Sequence, residues 1–254
     1  MTGPARGDML PRMVNTAAVE LRHVSKTFDA RPPITAVDRL DLTIPRGGLT
    51  ALVGANGAGK STVLRLLSGT LSPDEGTIRI LGRDLARERD AARRESGVLL
   101  GSTAGLYQRL TAREHLRYLG QLRGISGDRL EQRIDELSHL YGLGQFLDRR
   151  TGGFSTGMRQ RTAIAAAVIH RPTMLILDEP TSGLDITVRR EVVATIAATV
   201  AAGVTVLVAT HHPREFSGHM ARLWIMSHGR TALYEETTEG TVAAQLERGL
   251  KELL

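Results

Sequence analysis

The nine residues from 54 to 62 combine three glycines, a lysine and two hydroxyl side chains. Glycines let backbone N–H groups approach an anion closely, and a lysine adds the positive charge that phosphate oxygens attract. A serine directly after the lysine is placed to bind Mg²⁺. The spacing of Gly54, Gly59, Lys60 and Ser61 fits the phosphate-loop pattern G-x-x-x-x-G-K-[ST]. The sequence therefore predicts a nucleotide-phosphate site over Gly54, Ala55, Asn56, Gly57, Ala58, Gly59, Lys60, Ser61 and Thr62.

The flanks of this stretch supply the strand and the helix that a phosphate loop requires. The short apolar run 49–53 predicts a buried strand, and the apolar residues after Lys60 have helical spacing up to Gly69. The amino end of such a helix adds unpaired N–H groups and the positive end of its dipole. A glycine-rich turn with a solvated lysine is the alternative interpretation, and the two matching flanks disfavour it.

Two carboxylates, Asp178 and Glu179, follow the apolar run 174–177, which predicts a second buried strand. Ligands of parallel sheets bind at the carboxyl ends of the strands. Asp178 can hold Mg²⁺ opposite Ser61, and Glu179 can polarise the water that attacks a terminal phosphate. Two solvated loop acids are the alternative, which the phosphate loop disfavours.

The elements that must position these residues alternate between strand and helix patterns, which predicts a parallel α/β sheet. Further strand patterns occur at 19–24, 42–44, 77–80 and 204–209. The middle of the chain, 111–150, is predicted to be helical and to form an inserted subdomain. A capping-box pattern begins at Thr111, and the residues 128–131 resemble a second one.

The composition restricts the class of protein. The chain has 254 residues, no cysteine and a formal net charge of +6, so disulfides and cysteine-ligated metals are excluded. The basic charge allows nucleic acid or anionic membrane surfaces as partners, whereas the alternating signs at 87–94 predict a solvated helix face. The uncharged run 192–210 predicts a helix ending near Gly203 and then a strand, rather than a membrane span. Residues 1–16 are expected to form a flexible tail without a signal peptide.

Together with three more motifs, these features make the chain from about Val19 to Tyr234 resemble the nucleotide-binding subunit of an ATP-binding-cassette (ABC) transporter. The stretch 154–161 occupies the place of the family's signature motif L-S-G-G-Q, and Thr210-His211 matches its switch histidine. The signature positions are Ser155, Thr156, Gly157 and Met158, and the D-loop positions are Ser182, Gly183, Leu184 and Asp185. By itself, the signature stretch would be interpreted as an ordinary serine helix cap.

The resemblance implies a P-loop NTPase core of ABC ATPase type, with an antiparallel β subdomain and an inserted α-helical subdomain. It implies an ATP-binding domain over 17–238 with the helical insert at about 103–170, and a C-terminal helix over 239–254. It also implies ATP and Mg²⁺ as cofactors, with Ser61 and Asp178 as the metal ligands. The catalytic residues implied are Glu179, His211 and Lys60.

The resemblance further implies a head-to-tail dimer in which the signature of one subunit faces the phosphate loop of the other. Phe28 takes the place of an aromatic residue that stacks on adenine, with a core aromatic as the alternative. Two motifs depart from the family pattern. Thr156 and Met158 replace a glycine and a glutamine of the signature, and no glutamine stands at either candidate Q-loop position, Gly101 or Ser102.

The stretches 105–114 and 154–158 are similar to exporter ATPases of the sodium- and drug-efflux branch. The predicted function is ATP hydrolysis that powers export of sodium ions or drugs. The predicted partners are a separate transmembrane subunit and a second ATPase subunit in a homodimer, with the protein peripheral on the cytoplasmic face of the membrane and without nucleic acid.

Two other functions compete with this prediction. The basic charge suggests a soluble ABC ATPase acting on nucleic acid or ribosomes, which the single cassette and the lack of sustained heptads disfavour. A non-catalytic, nucleotide-gated scaffold is disfavoured by the presence of both Glu179 and His211.

Overall fold

The computed structural model describes residues 17–101 and 105–236. The predicted tail 1–16 and the predicted helix 239–254 lie outside the described residues. The elements are β1 (Ala17–Phe28), β2 (Ile34–Pro45), β3 (Leu49–Val53), α1 (Lys60–Leu67), β4 (Glu75–Ile80), β5 (Arg83–Asp84), α2 (Arg89–Arg94), β6 (Ser96–Leu99), α3 (Ala112–Leu122), α4 (Gly127–Tyr141), α5 (Thr156–Val168), β7 (Met174–Asp178), α6 (Ile186–Ala201), β8 (Thr205–Thr210), β9 (Met220–Ser227) and β10 (Arg230–Glu236).

The central sheet has six strands in the order β10-β9-β3-β8-β7-β6. The strands from β9 to β6 pair in parallel, and β10 pairs with β9 antiparallel. Within β7, Leu175 and Leu177 pack into one hydrophobic core, whereas Met174 and Ile176 pack into another. Both faces of the sheet are therefore covered, which explains why most residues of β3, β7 and β8 are apolar. The predicted α/β class is confirmed.

Each face of the central sheet is covered by a different layer. A four-stranded antiparallel sheet, in the order β2-β1-β4-β5, shares one core with α1. Helices α3, α4, α5 and α6 pack against the other face. The predicted antiparallel subdomain and the predicted helical region between β6 and β7 are both present.

The helical region confirms one capping prediction and corrects the other. The Thr111 hydroxyl accepts a hydrogen bond from Glu114 N at 3.1 Å, and the Glu114 carboxylate accepts one from Thr111 N at 2.8 Å, so the capping box is formed. The second capping box was wrong, because α4 starts from Ser126. Asp128 lies inside the first turn, where its charge favours the helix dipole.

The uncharged run 192–210 forms a helix and a strand, as predicted. Helix α6 ends at Ala201, Gly203 adopts a left-handed conformation with φ of +88°, and β8 begins at Thr205. In the described ranges, no helix combines the length and the hydrophobicity that a membrane crossing requires.

His170 joins the end of α5 to the beginning of β6. Its Nε2 lies 3.2 Å from Ser96 O, and because a carbonyl oxygen only accepts, Nε2 carries the proton and donates. Burial, and secondarily the charge of Arg123, lowers the pKa of His170 from 6.5 to about 4. The ring is therefore neutral in the folded protein at physiological pH.

Protonation of this histidine should reduce stability in mildly acidic solution. The unfolded chain protonates it near pH 6.5 and the folded chain only near pH 4, so the free energy of unfolding falls as the pH decreases through this window. We expect His170→Asn to lose less stability than wild type between pH 7 and pH 5, as measured by urea unfolding. Equal losses in the two proteins would contradict the prediction. His115, whose pKa burial also lowers, is unchanged in both.

Candidate functional site

The predicted site residues meet at the carboxyl edge of the central sheet. In the pairing of β3 with β8, Val53 is opposite Thr210, and in the pairing of β7 with β8, Asp178 is opposite Ala209. The phosphate loop, the Asp178-Glu179 pair and His211 thus leave the sheet side by side. Parallel pairing is the reason that three segments far apart in sequence become neighbours.

The phosphate loop is packed so closely that two of its positions exclude any side chain. A Cβ added at Gly54 would lie 2.3 Å from Met226 O, and one added at Gly59 would lie 2.3 Å from Ala36 O. Gly59 also has a φ of +104°, in the left-handed region that favours glycine. The backbones of β2 and β9 therefore hold the loop in shape.

Lys60 turns back over the loop that precedes it. Its ammonium group donates to Gly54 O at 2.7 Å and to Ala55 O at 3.1 Å, and it lies 3.6 Å from Glu179 Oε1. Only 5% of the residue is exposed. A buried charge of this kind requires compensating oxygens, and here the loop carbonyls and the carboxylate supply them.

Glu179 connects the lysine to the switch histidine. Its second oxygen, Oε2, lies 2.8 Å from His211 Nδ1, and because a carboxylate accepts, Nδ1 is the donor. The backbone at Glu179 has a φ of +47°, which is rare for a residue with a side chain and occurs where a site holds it in place. Its N–H donates to Ala209 O at 2.9 Å, which fixes the turn to β8.

Asp178 and Ser61 form a pair of oxygen ligands suited to Mg²⁺. Burial raises the pKa of Asp178, while a hydrogen bond from the Ser61 hydroxyl lowers it. One carboxylate oxygen, Oδ1, is buried and has no hydrogen-bond partner in the part of the chain that the structure describes. Because Mg²⁺ takes hard oxygen ligands, an orphaned carboxylate oxygen beside a hydroxyl fits this ion.

The signature residues cap and pack helix α5. Ser155 is exposed at the helix amino end, and its hydroxyl accepts from Met158 N at 3.2 Å. A Cβ at Gly157 would lie 2.4 Å from Val188 Cγ1, so this glycine lets α5 approach α6. Thr156 Oγ1 accepts from the Arg159 guanidinium at 3.4 Å. Among the contacts of the described residues within one chain, none joins this group to Lys60.

The D-loop links the Glu179 turn to helix α6. Ser182 N donates to Glu179 O at 3.1 Å, Gly183 is left-handed, and Leu184 is buried. Asp185 caps α6 by accepting from the backbone N–H groups of residues 187 and 188, both at 3.0 Å. This carboxylate therefore has a local structural task in one chain.

Phe28 ends β1 and lies outside the buried core. Its ring is half-buried, with the Lys26 ammonium 6.0 Å from the ring centre. Its cross-strand neighbour Ile34 is 57% exposed. Part of the ring thus remains accessible for stacking, and its role toward adenine stays a prediction.

One of the two candidate Q-loop positions, Gly101, lies within the described residues. Gly101 is exposed and left-handed, with a φ of +86°, so a glutamine there would be strained. The other candidate position, Ser102, lies outside the described residues.

A groove lies beside strand β6, which precedes the two candidate Q-loop positions in sequence, and the sequence motifs do not define its shape. It has a volume of about 330 Å³ and lies between β6, α3, α5 and the segment 105–107. Tyr107 is 57% exposed and packs edge-on against Tyr118, with ring centres 5.9 Å apart. Leu106 is half-buried. The sequence signal for this surface was the pair of apolar residues after the Q-loop.

Sequence reasoning missed the backbone groups that support the site. The carbonyls of Ala36 and Met226, which lie against the phosphate loop, have no sequence signal, because every residue type carries the same carbonyl group.

The chain is similar to known ATP-binding subunits over most of its length. The family model described as ABC transporter matches residues 37–182. The ABC transporter ATP-binding protein NatA of Bacillus subtilis is 42% identical over 66% of this chain and 69% of its own length. The daunorubicin/doxorubicin resistance ATP-binding protein DrrA of Streptomyces peucetius is 39% identical over 91% and 68%. The Nod factor export ATP-binding protein I of Sinorhizobium fredii is 38% identical over 87% and 63%, so the chain spans under two thirds of that relative.

Solved structures agree with these sequence similarities. An ATP-binding subunit of an ABC transporter superposes with a TM-score of 0.78 at 29% identity, covering 93% of this chain and 99% of its own. A dimeric ATP-binding cassette in a post-hydrolysis state, bound to ADP and phosphate, has a TM-score of 0.76 at 26% identity, covering 87% and 99%. The predicted fold, a P-loop NTPase core of ABC ATPase type, is confirmed.

Two glycines of the loop allow a matched test of its packing. Gly57 and Gly59 both have positive φ, but only Gly59 faces a backbone oxygen at 2.3 Å, whereas Gly57 faces open space. We expect Gly57→Ala to lower the free energy of unfolding by about 1 kcal/mol, for the left-handed conformation alone. Gly59→Ala should lower it by about 3 kcal/mol or more, because a clash is added. Urea unfolding measures both, and equal losses would contradict the packing of the loop against β2.

Proposed function

This chain belongs to the ABC transporter family, and from that premise we propose that it powers export through a separate transmembrane subunit. As a member of the family it is an ATPase that uses ATP and Mg²⁺. Hydrolysis is supported by the contact of Glu179 with both Lys60, at 3.6 Å, and His211, at 2.8 Å, beside the phosphate loop. The observation that carries the export role is the similarity to a Nod factor export ATP-binding protein.

In the proposed mechanism, each member of this cluster acts on a different atom. Lys60 exchanges the loop carbonyls for phosphate oxygens. One oxygen of Glu179 accepts the proton of the water that attacks the γ-phosphate. His211 Nδ1–H donates to the other oxygen and so orients the Glu179 carboxylate.

Ser61 and Asp178 are the proposed holders of Mg²⁺. The ion supplies positive charge that neutralises phosphate charge as the bond breaks. Burial raises the pKa of the Asp178 carboxyl and thus disfavours its ionised form. A cation beside the carboxylate would stabilise the ionised form and offset this effect.

The proposed active form is a head-to-tail dimer. Ser155 is exposed at the amino end of α5, where a helix favours an anion, and Lys60 lies in the same chain without contact to it. Two-fold symmetry lets Ser155 of each subunit complete the phosphate loop of the other. The similar cassette that is dimeric with bound ADP and phosphate supports the formation of a dimer.

The proposed membrane partner binds at the groove beside Tyr107, and the protein is then peripheral on the cytoplasmic face. The proposed domain extends over 17–238 with its helical insert at about 103–170, and the positions of α3, α4 and α5 support these limits.

The names of two relatives specify daunorubicin/doxorubicin resistance and Nod factor export, which favours an organic compound as the exported cargo. Sodium export stays a prediction without a test.

A mixing experiment tests the composite site. Lys60→Ala removes from one subunit the positive charge that is proposed to contact the phosphates. Ser155→Arg blocks the signature of the other subunit. Each variant alone should be inactive, but a mixture forms heterodimers that contain one intact site. We expect the mixture to recover part of the wild-type ATPase rate. Heterodimers that form, as shown by differently tagged subunits, but remain inactive would refute the shared site.

A second experiment tests the groove. Tyr107→Glu places a charge on an exposed ring, so the isolated subunit should fold and hydrolyse ATP at the normal rate. Co-purification with the transmembrane subunit should fall at least tenfold, because a carboxylate would be buried at the interface. Leu140→Glu, an exposed apolar position on α4, serves as the control and should co-purify normally. Normal co-purification of Tyr107→Glu would place the partner elsewhere.

A further inference from the structure

The carboxyl end of helix α5 is attached to β6 and the residue before it by three adjacent contacts. A Cβ added at Gly97 would lie 2.3 Å from Ala167 O, so strand and helix touch backbone to backbone. His170 donates to Ser96 O at 3.2 Å, and Thr173 N donates to Glu95 O at 2.9 Å. We call these contacts, between residues 95–97 and residues 167–173, the α5 anchor.

The α5 anchor lies at the opposite end of the helix from the signature. An α-helix rises about 1.5 Å per residue, so Ser155 stands about 18 Å from Ala167 along the axis. A rigid rod held at one end transmits a small displacement or tilt to the other. The placement of Ser155 therefore depends on the α5 anchor as well as on the contacts of the first turn.

The strand in the anchor is the neighbour of the catalytic strand. Strand β6 pairs in register with β7, with Gly97 opposite Leu175 and Leu99 opposite Leu177, directly before Asp178. The α5 anchor thus attaches the signature helix to the same sheet that carries Asp178 and Glu179. The first turn of α5 is held separately, by the close approach of Gly157 to Val188.

From this geometry we propose that Gly97 is a positioning residue for ATP hydrolysis. Its missing side chain allows the backbone contact that sets where Ser155 enters the partner's nucleotide site. The proposal rests on the composite site proposed above. A methyl group at position 97 has to displace α5 from β6 by roughly 1 Å, because a close-packed interior offers no free space.

His170 supports the same placement through its hydrogen bond. The Ser96 carbonyl accepts from Nε2, while Nδ1 is buried without a partner among the described residues. The ring is therefore used for one directed contact, which a glutamine amide can replace and an alanine cannot. The phosphate loop and Phe28 make no contact with the anchor in the described residues, so nucleotide binding by a single subunit should not depend on it.

The experiment compares Gly97→Ala with Gly218→Ala in the full-length chain. Gly218 faces open space and is not left-handed, so its methyl group should have no effect. For Gly97→Ala, we expect kcat to fall at least tenfold while KM and the Kd for a fluorescent ATP analogue stay within twofold of wild type. Glu179→Gln removes the proposed base, so this variant should bind ATP without hydrolysing it and accumulate as an ATP-bound dimer in gel filtration. Adding Gly97→Ala to Glu179→Gln should reduce that dimer at least tenfold.

Two outcomes would overturn the role of Gly97. A kcat for Gly97→Ala within twofold of the Gly218→Ala value would show that the contact does not position Ser155. A parallel loss of kcat and nucleotide affinity would show a general packing defect instead.

His170 variants keep the proposal testable if Gly97→Ala does not fold. We expect His170→Ala to reduce kcat at least fivefold at unchanged KM, and His170→Gln to restore it to within twofold of wild type. Wild-type kcat in His170→Ala would overturn the proposal. Failure of the Lys60→Ala and Ser155→Arg mixture would reject the composite site itself. Success of that mixture, with full activity in Gly97→Ala, would reject the anchor alone.

Discussion

A buried ammonium group organises this site, because Lys60 cannot remain charged and buried without oxygens around it. The loop carbonyls reach it only because the loop closes tightly, which in turn requires glycine at positions 54 and 59. The carboxylate of Glu179 reaches it from a left-handed turn after β7. The phosphate loop, the turn at Glu179 and, through Glu179, His211 are thus placed by one requirement for charge compensation.

The second constraint is the parallel sheet, which brings those parts to a common edge but leaves the signature elsewhere. Helix α5 touches β6 at its carboxyl end, and none of the described contacts joins Ser155 to Lys60. A subunit built in this way contains the two proposed halves of a phosphate site without joining them. The symmetric pairing proposed here follows from that separation as much as from the motifs.

The sequence predicted those parts of the fold in which side-chain type and local structure agree. The run 49–53 forms β3 over the predicted residues, because a strand buried on both faces is mostly apolar, with Thr50 as the one polar residue here. The capping box at Thr111 was predictable, because two side chains and two N–H groups define it. The first turn of α4 was not, because Asp128 fits a cap and an interior first-turn position equally well.

The unpredicted parts of the site are mostly main-chain contacts. No residue letter records that Ala36 O lies against Gly59, or that Ala167 O lies against Gly97. The sequence contains the glycines, but only the packing explains why they are needed. The role of Ser155 was also not decidable from the sequence, because a serine hydroxyl can serve equally as a helix cap or as a phosphate ligand. The link between Glu179 and His211 was also missed, because it depends on the turn geometry after two separate strands.

The two carbonyl bonds of Lys60 also bear on how tightly a nucleotide is held. An incoming phosphate has to displace Gly54 O and Ala55 O from the ammonium group, so the gain in binding energy is only the difference between two sets of oxygens. The same carbonyls recapture the lysine when the product departs. A loop that supplies its own substitute ligands thereby moderates nucleotide affinity before and after hydrolysis. This suits an ATPase, which must release its products before it can bind the next ATP.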